Sequence, residues 1–144
     1  MIFDRISMRA VILRDDKVLV VKLRPTDEWY CFPGGKMERG EWSFQTVVRE
    51  IEEELGVRLS VQGIVASNEF ETKGKRGFEL FFLMQDDQSI DYVQTAKTAS
   101  YGFELADIRW VSIEDPEVTV YPIAMIEYLQ KNYRDLQIVP SLGG

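Results

Sequence analysis

The chain has 144 residues, a length that suits one compact domain with its own hydrophobic core. Hydrophobic residues make up 45 % of it and charged residues 28 %, which is too apolar for a disordered chain. The net charge of −7 disfavours a nucleic-acid-binding protein, and the absence of histidine excludes histidine-based catalysis and histidine metal ligands. Acid–base and metal chemistry must therefore fall to carboxylates, lysine, tyrosine or the single cysteine.

The beginning of the chain does not resemble a secretory signal, because Asp4 comes early and no long apolar run follows. No stretch reaches the ~18 apolar residues of a membrane span. Cys31 is the only cysteine, so an internal disulfide is impossible, which fits a reducing compartment. We therefore expect a cytoplasmic protein.

The first third of the chain is predicted to form strands. Residues 6–14 and 17–23 alternate as a hairpin around the turn Asp15-Asp16. The short apolar segment 29–32 then meets Pro33-Gly34-Gly35, a turn signal whose glycines allow a ligand to approach the backbone closely.

The clearest predicted helix covers residues 43–55. Ser43 is the candidate N-cap, and Gly56 stands where a helix-ending glycine belongs. Its apolar residues follow helical spacing and form one stripe: Phe44, Val47, Val48, Ile51 and Leu55.

The rest of the chain alternates between strands and one further helix. We predict strands at 59–70, 78–85 and 108–112, and a helix at 121–133. A basic loop at 73–77 separates the first two strands, and 86–100 is predicted to be a polar loop. The second helix is expected to bury Ile123, Ile126 and Leu129. The whole pattern predicts a mixed sheet with helices packed on it, in one domain over 1–144 with 134–144 as a loose tail.

Four glutamates crowd the end of the first predicted helix. At 100° per residue, Glu50, Glu53 and Glu54 share one arc beside the apolar stripe, whereas Glu52 points elsewhere. Such a charge run is usually a solvated helix face. The alternative is a site for Mg²⁺ or Mn²⁺, which prefer oxygen ligands.

The residues that surround these glutamates in the sequence decide between the two interpretations. Residues 35–57, GKMERGEWSFQTVVREIEEELGV, resemble the Nudix box, as does the lead-in Phe32-Pro33-Gly34. All nine fixed positions of the pattern are filled, by Gly35, Glu41, Arg49, Glu50, Ile51, Glu53, Glu54, Gly56 and Val57. Nine positions at fixed spacing are far more specific than an acidic helix.

The resemblance implies a Nudix α/β/α sandwich in which the box forms a loop–helix–loop. It also implies hydrolysis of a nucleoside diphosphate linked to another group, with Mg²⁺, or Mn²⁺ in its place, as the cofactor. The chemistry agrees, because metal ions neutralise phosphoryl charge and lower the pKa of bound water.

Roles follow from the matched positions. Glu50, Glu53, Glu54 and the Gly35 carbonyl match metal ligands, and either Glu53 or Glu50 would be the general base. By its position, Arg49 would orient a glutamate. Glu41 would pair with Arg49, and Gly56 would end the helix; both are structural roles.

Outside residues 35–57, no motif of fixed spacing supports the assignments. Many relatives carry a further acidic residue before a late tryptophan-containing strand, and Glu104, before Trp110, is our candidate. Glu79 is the rival, although on an alternating strand it would more simply face solvent.

Several residues are candidates for substrate contacts. Lys36, Arg9 and Arg24 could grip phosphates, and Phe70 could stack on a base. The basic 73–77 loop is more often merely solvated. The aromatic residues at 29–30 are more simply core, and Cys31 is most simply a small buried hydrophobe.

The motif does not specify which group is attached to the pyrophosphate of the substrate. Residues 67–77 carry neither the proline common in ADP-ribose pyrophosphatases nor the tyrosine common in dinucleoside polyphosphate hydrolases. A nucleoside di- or triphosphate is therefore the default substrate. ADP-ribose, a nucleotide sugar or a non-catalytic nucleotide sensor are the alternatives. Many relatives are homodimers, but nothing in this sequence decides that.

Overall fold

The computed structural model describes residues 2–92 and 105–144. Within these ranges a mixed sheet carries two α-helices, named here in chain order. The strands are β1 (Arg5–Arg14), β2 (Lys17–Lys22), β3 (Tyr30–Cys31), β4 (Gly34–Lys36), β5 (Val61–Thr72), β6 (Lys75–Met84), β7 (Asp107–Ser112) and β8 (Val120–Tyr121). The helices are α1 (Ser43–Leu55) and α2 (Ile123–Asn132). Neither is long and apolar enough to cross a membrane.

Strand β1 is the centre of the sheet. It runs parallel to β6 and antiparallel to both β2 and β4. The main path is β5-β6-β1-β2-β3-β8, with β4 joined to β1 and β7 to β2. The pairing of β1 with β4 brings the Pro-Gly-Gly segment to the middle of the sheet.

The helices cover opposite faces of this sheet. Alternate residues of β1 and β2 point to opposite sides, so each strand contributes to two cores. Ala10 and Leu19 belong to the same buried cluster as Ile51 of α1. Val11 belongs to the cluster that holds Leu129 of α2. The predicted α/β/α sandwich is confirmed.

The start of α1 differs from the prediction. Ser43 is the first helical residue, and Trp42 occupies the N-cap position. The Gln45 side chain accepts a hydrogen bond of 2.8 Å from the Trp42 backbone N–H, so the helix begins without a hydroxyl cap. At the other end Gly56 is left-handed (φ 72°) and donates its N–H to the Glu52 carbonyl, as expected of a helix-ending glycine.

The second helix begins later than predicted. Val120 and Tyr121 pair with β3, and α2 starts only after Pro122. Ile123 was expected on the buried stripe, but it is 51 % exposed, and Met125 takes that place beside Ile126 and Leu129.

Strands β5 and β6 extend further into the basic loop than predicted. Thr72 pairs with Lys75, so only Lys73 and Gly74 form the turn, both with positive φ. Such a two-residue turn matches the twist of a hairpin. The remaining basic residues belong to β6.

Part of the expected loose tail is attached to the sheet. Val139 and Ile64 of β5 exchange two backbone hydrogen bonds of 2.7 and 3.0 Å. Further along, a Cβ at Gly143 would meet the ring of Phe44 at 2.7 Å, so the tail also packs beside the start of α1.

Candidate active site

The glycines of β4 lie directly against the acidic face of α1, which is formed by Glu50, Glu53 and Glu54. The Gly34 N–H donates a hydrogen bond of 2.7 Å to Glu54 Oε1. A Cβ added at Gly35 would lie 2.5 Å from the Glu50 carboxyl carbon. A side chain at position 35 would displace the Glu50 carboxyl group, so the box glycine and the helix glutamates form one structural unit.

Arg49 is the centre of the carboxylate arrangement. Its Nη1 donates to Oε1 of both Glu50, at 3.0 Å, and Glu53, at 3.1 Å. Its Nε donates to Glu41 Oε2 at 2.6 Å, and its Nη2 to the Lys36 carbonyl at 3.1 Å. One guanidinium therefore holds two box glutamates together and ties the loop to the helix.

Glu41 fixes the loop that precedes α1. Besides Arg49, it accepts hydrogen bonds from the Glu38 backbone N–H and the Thr46 hydroxyl. The hydrogen bond from Arg49 is the largest cause that lowers the pKa of Glu41, to about 2. The carboxylate is thus a permanently charged anchor. Glu52, by contrast, pairs with Arg58 at 2.8 Å rather than with Arg49.

Burial makes the charged forms of Glu50 and Glu54 unfavourable. Glu54 is 2 % exposed, and loss of solvent raises its pKa to about 8. Burial also raises the pKa of Glu50, and the neighbouring Glu53 charge adds to it, although Arg49 opposes the shift. A cation at this face would relieve both effects.

The described residues contain no closed group of three metal-binding side chains. Glu54 is directed at Gly34, while Glu50 and Glu53 converge on Arg49. Mg²⁺ commonly binds through one or two carboxylates, water and substrate phosphates. An oxygen-only donor set of this kind suits a hard cation in an open site.

Only two of the four proposed substrate contacts lie in one cavity. Arg9 and Phe70 line a cavity of about 570 Å³ beside the sheet. Lys36 is an exposed residue of β4, and its backbone is what contacts Arg49. Arg24 is exposed in the loop after β2, where its N–H donates to Asp27. Neither Lys36 nor Arg24 lines the cavity.

Glu79 is not the solvent-facing strand residue that the alternating pattern suggested. It is 6 % exposed and lies at the cavity wall. Arg9 Nε approaches Glu79 Oε2 at 3.5 Å, and Asn68 Nδ2 donates to Glu79 Oε1 at 3.0 Å. A cation and an amide thus compensate for the burial of the Glu79 carboxyl group. The competing candidate, Glu104, lies outside the described residues.

Aromatic residues supply much of the remaining cavity wall. Trp29 and Tyr121 meet edge to face at 5.8 Å between ring centroids, and both line the cavity with Phe70. Tyr30 belongs to the core and donates its hydroxyl to Asp107. Cys31 is buried as expected, and burial raises its pKa to about 11, but it also reaches the cavity.

Sequence reasoning missed Asn68 and Tyr121 as cavity residues. Asn68 comes from the middle of β5, and only its pairing with Glu79 of β6 reveals its position. Tyr121 was assigned to a helix. The Tyr-Pro pair was the available signal, because a residue before proline favours extended backbone.

Arg9 lines the cavity, and its charge also acts on the glutamates of α1. Its positive charge partly offsets the burial that raises the pKa of Glu50 and Glu54. The same guanidinium pairs with Glu79 at the cavity wall. Arg9 is also the register partner of Gly34, whose N–H donates to Glu54, so the cavity adjoins the box glutamates.

Comparison with known proteins agrees with this arrangement. The model of the NUDIX domain matches residues 4–131. The CTP pyrophosphohydrolase of Escherichia coli K12 is 41 % identical over 70 residues, 46 % of this chain and 51 % of that protein. The ADP-ribose pyrophosphatase of Methanocaldococcus jannaschii is 32 % identical over 74 residues, 50 % of this chain and 44 % of that one.

The fold has solved relatives as well. A NUDIX hydrolase from Nitrosomonas europaea superimposes with a TM-score of 0.72 at 20 % identity, covering 97 % of this chain and 96 % of that one. Because the domain match spans most of the sequence, the chain belongs to the NUDIX family. The matched regions span about half the length of the two curated relatives or less.

Proposed function

We propose that this chain hydrolyses the pyrophosphate bond of a nucleoside triphosphate or a related nucleotide with the help of a divalent cation. The observation that supports this most strongly is the convergence of Glu50 and Glu53 on Arg49, directly against the Gly35 backbone. NUDIX hydrolases generally need divalent metal ions, and these carboxylates offer the oxygen ligands that Mg²⁺ prefers.

In this proposal Glu50 and Glu53 would hold Mg²⁺, with Glu54 and the Gly35 carbonyl as further candidate ligands. The bound ion would lower the pKa of water and neutralise phosphoryl charge. Glu53 or Glu50 accepts the proton of the attacking water, and Glu104 is the further acidic candidate. The water oxygen bonds to phosphorus, the bridging P–O bond breaks, and two phosphate-bearing products leave.

The other side chains of the site bind and position. Arg49 keeps the two glutamates together, and Glu41 keeps Arg49 in place. We propose that the cavity receives the nucleoside, with Phe70 against the base and Arg9 at the wall nearest the glutamates. Lys36 and Arg24, which are exposed, would contact phosphates that extend out of the cavity.

A panel of nucleotides tests this function. The purified chain is incubated with nucleoside di- and triphosphates, ADP-ribose and nucleotide sugars, with Mg²⁺ or with EDTA, and the products are separated by chromatography. We expect Mg²⁺-dependent cleavage of at least one nucleoside di- or triphosphate. No cleavage of any compound by folded, Mg²⁺-supplied protein would contradict the proposal.

One observation favours a second candidate, an ADP-ribose or nucleotide-sugar pyrophosphatase. The M. jannaschii relative is named an ADP-ribose pyrophosphatase, while the E. coli relative is named for CTP. The same panel separates them, because the second candidate predicts that ADP-ribose or a nucleotide sugar is cleaved and the triphosphates are not.

A further inference from the structure

Residues 138–143 connect the edge of the sheet with the start of α1. At the sheet, Val139 and Ile64 of β5 exchange two backbone hydrogen bonds. A Cβ at Gly63 would lie 2.8 Å from the Val139 carbonyl oxygen, so this glycine leaves room for the segment. Because β5 stands at one end of the strand order, the segment covers part of an edge that would otherwise offer unpaired backbone groups.

The other half of the segment lies on the first residues of α1. The hydroxyl oxygen of Ser141 is 3.4 Å from that of Ser43. A Cβ at Gly143 would lie 2.7 Å from the ring of Phe44 and 3.4 Å from Cγ of Trp42, so the backbone there lies directly on both rings. Three successive residues thus meet the segment at the point where the helix begins.

These contacts lead through the preceding loop to the acidic face. Trp42 follows directly on Glu41, whose carboxylate accepts two hydrogen bonds from Arg49, of 2.6 and 3.0 Å. Arg49 in turn donates to Glu50 and Glu53. A continuous chain of contacts therefore connects segment 138–143 with the guanidinium that holds the two glutamates together.

The start of α1 is where support from another part of the chain has an effect. The first N–H groups of a helix have no partner within it, and helix ends fray. Here Trp42 stands at the N-cap without a hydroxyl and is 51 % exposed. Fraying at this point would displace the neighbouring Glu41 and, with it, Arg49.

We propose that segment 138–143 is a strap that holds the start of α1 and thereby positions Arg49. The residues of the strap are positioning residues, because they act on the glutamates only through Glu41 and Arg49. This inference rests on the proposed function of the acidic face, since the strap matters to the reaction only if those glutamates hold the cation.

A matched pair of variants at position 139 tests the strap in the full chain. Val139→Pro removes the N–H that donates to the Ile64 carbonyl at 3.0 Å, whereas Val139→Ala keeps it. Amide hydrogen exchange is followed by NMR without metal or nucleotide. The Ile64 N–H, which donates to the Val139 carbonyl at 2.7 Å, reports release of the strap. We expect it to exchange at least about tenfold faster in Val139→Pro than in Val139→Ala.

Two further protons report what release of the strap does to the site. The Trp42 backbone N–H donates to the Gln45 side chain at 2.8 Å, and the Arg49 Nε–H donates to Glu41 at 2.6 Å. Both should exchange at least about fivefold faster in Val139→Pro than in Val139→Ala. If only the Ile64 N–H became faster, the segment would cover the sheet edge without positioning Arg49, and the inference would be wrong.

A second variant releases the strap from the other partner of the same contact. In Gly63→Ala the new Cβ lies 2.8 Å from the Val139 carbonyl oxygen, so the segment must move and the same three protons should become faster. Continued protection of the Ile64 N–H in both variants would show that these contacts do not hold the segment, which also overturns the inference.

The second helix provides the control for a general loss of stability. The backbone N–H of Leu129 lies in α2, on the opposite face of the sheet, and its exchange should stay within about twofold in every variant. Equal acceleration of Leu129 and of the Trp42 and Arg49 protons would mean that the segment only stabilises the fold, against the proposed positioning role.

These outcomes are separable from those of the proposed function, because the exchange is measured without metal or nucleotide. The expected exchange together with no cleavage of any nucleotide would remove the hydrolase and leave the strap standing. Unchanged exchange of the Trp42 and Arg49 protons in a chain that cleaves nucleotides would do the opposite.

Discussion

Glu53→Gln is expected to lower kcat for the cleaved nucleotide by about 10²–10⁴-fold, the usual contribution of a general base, while the protein remains folded. Glutamine keeps the size of the side chain and can still accept the hydrogen bond of 3.1 Å from Arg49. It loses the negative charge that would hold Mg²⁺ or accept a proton from water. Initial rates at saturating substrate and Mg²⁺ measure the effect.

The neighbouring glutamate is the matched control for this variant. Glu52 lies one position earlier on α1, but its ion pair is with Arg58 and not with Arg49. Glu52→Gln should keep kcat within about twofold of the unmodified protein, because it removes only a partly exposed ion pair with Arg58, and such pairs contribute little. Equal losses in the two variants, or full activity of Glu53→Gln, would contradict the assignment of the acidic face.

Glu54→Gln is expected to make the metal-free protein less sensitive to rising pH. Burial raises the pKa of Glu54 from its ordinary 4.5 to about 8, so the native state holds this proton more tightly than the unfolded state does. The contribution of Glu54 to stability is therefore fully present below about pH 4.5 and is lost as the pH rises through about 8.

The size of the expected change in stability follows from the shift in the pKa of Glu54. Each pKa unit corresponds to about 1.4 kcal/mol. Between about pH 4.5 and 8, the unmodified protein should therefore lose a few kcal/mol of unfolding free energy relative to Glu54→Gln. Urea unfolding in EDTA at several pH values measures it. Since the other titrating groups are shared, parallel pH profiles for Glu54→Gln and the unmodified protein would show that Glu54 is not the source.

Much of the fold follows from local patterns in the sequence. The apolar stripe around Ile51 and the glycine at 56 predicted α1 correctly to its last residue. Alternation predicted β1 and β2, and the two faces of these strands explain the sandwich. Short strands such as β3 and β4 escaped prediction, because two or three residues carry no periodicity and are defined only by their partners.

The same distinction between local and long-range contacts applies to the candidate site. Glu50, Glu53 and Arg49 lie within one helix, so helical geometry alone places them together. The cavity combines Arg9, Asn68 and Glu79 from three strands, and their proximity depends on the register of β1, β5 and β6. No local pattern contains that register, which is why Glu79 was expected to face solvent.

Binding of Mn²⁺ tests the central claim most directly, because Mn²⁺ shares the oxygen ligands of Mg²⁺ and is visible by electron paramagnetic resonance. The spectrum of free Mn²⁺ is followed as the unmodified protein, Glu53→Gln or Glu52→Gln is added. We expect the unmodified protein and Glu52→Gln to remove Mn²⁺ from solution to the same extent, and Glu53→Gln to bind it at least about tenfold more weakly. Equal Mn²⁺ binding by all three proteins would contradict the proposal that the acidic face of α1 holds the cation.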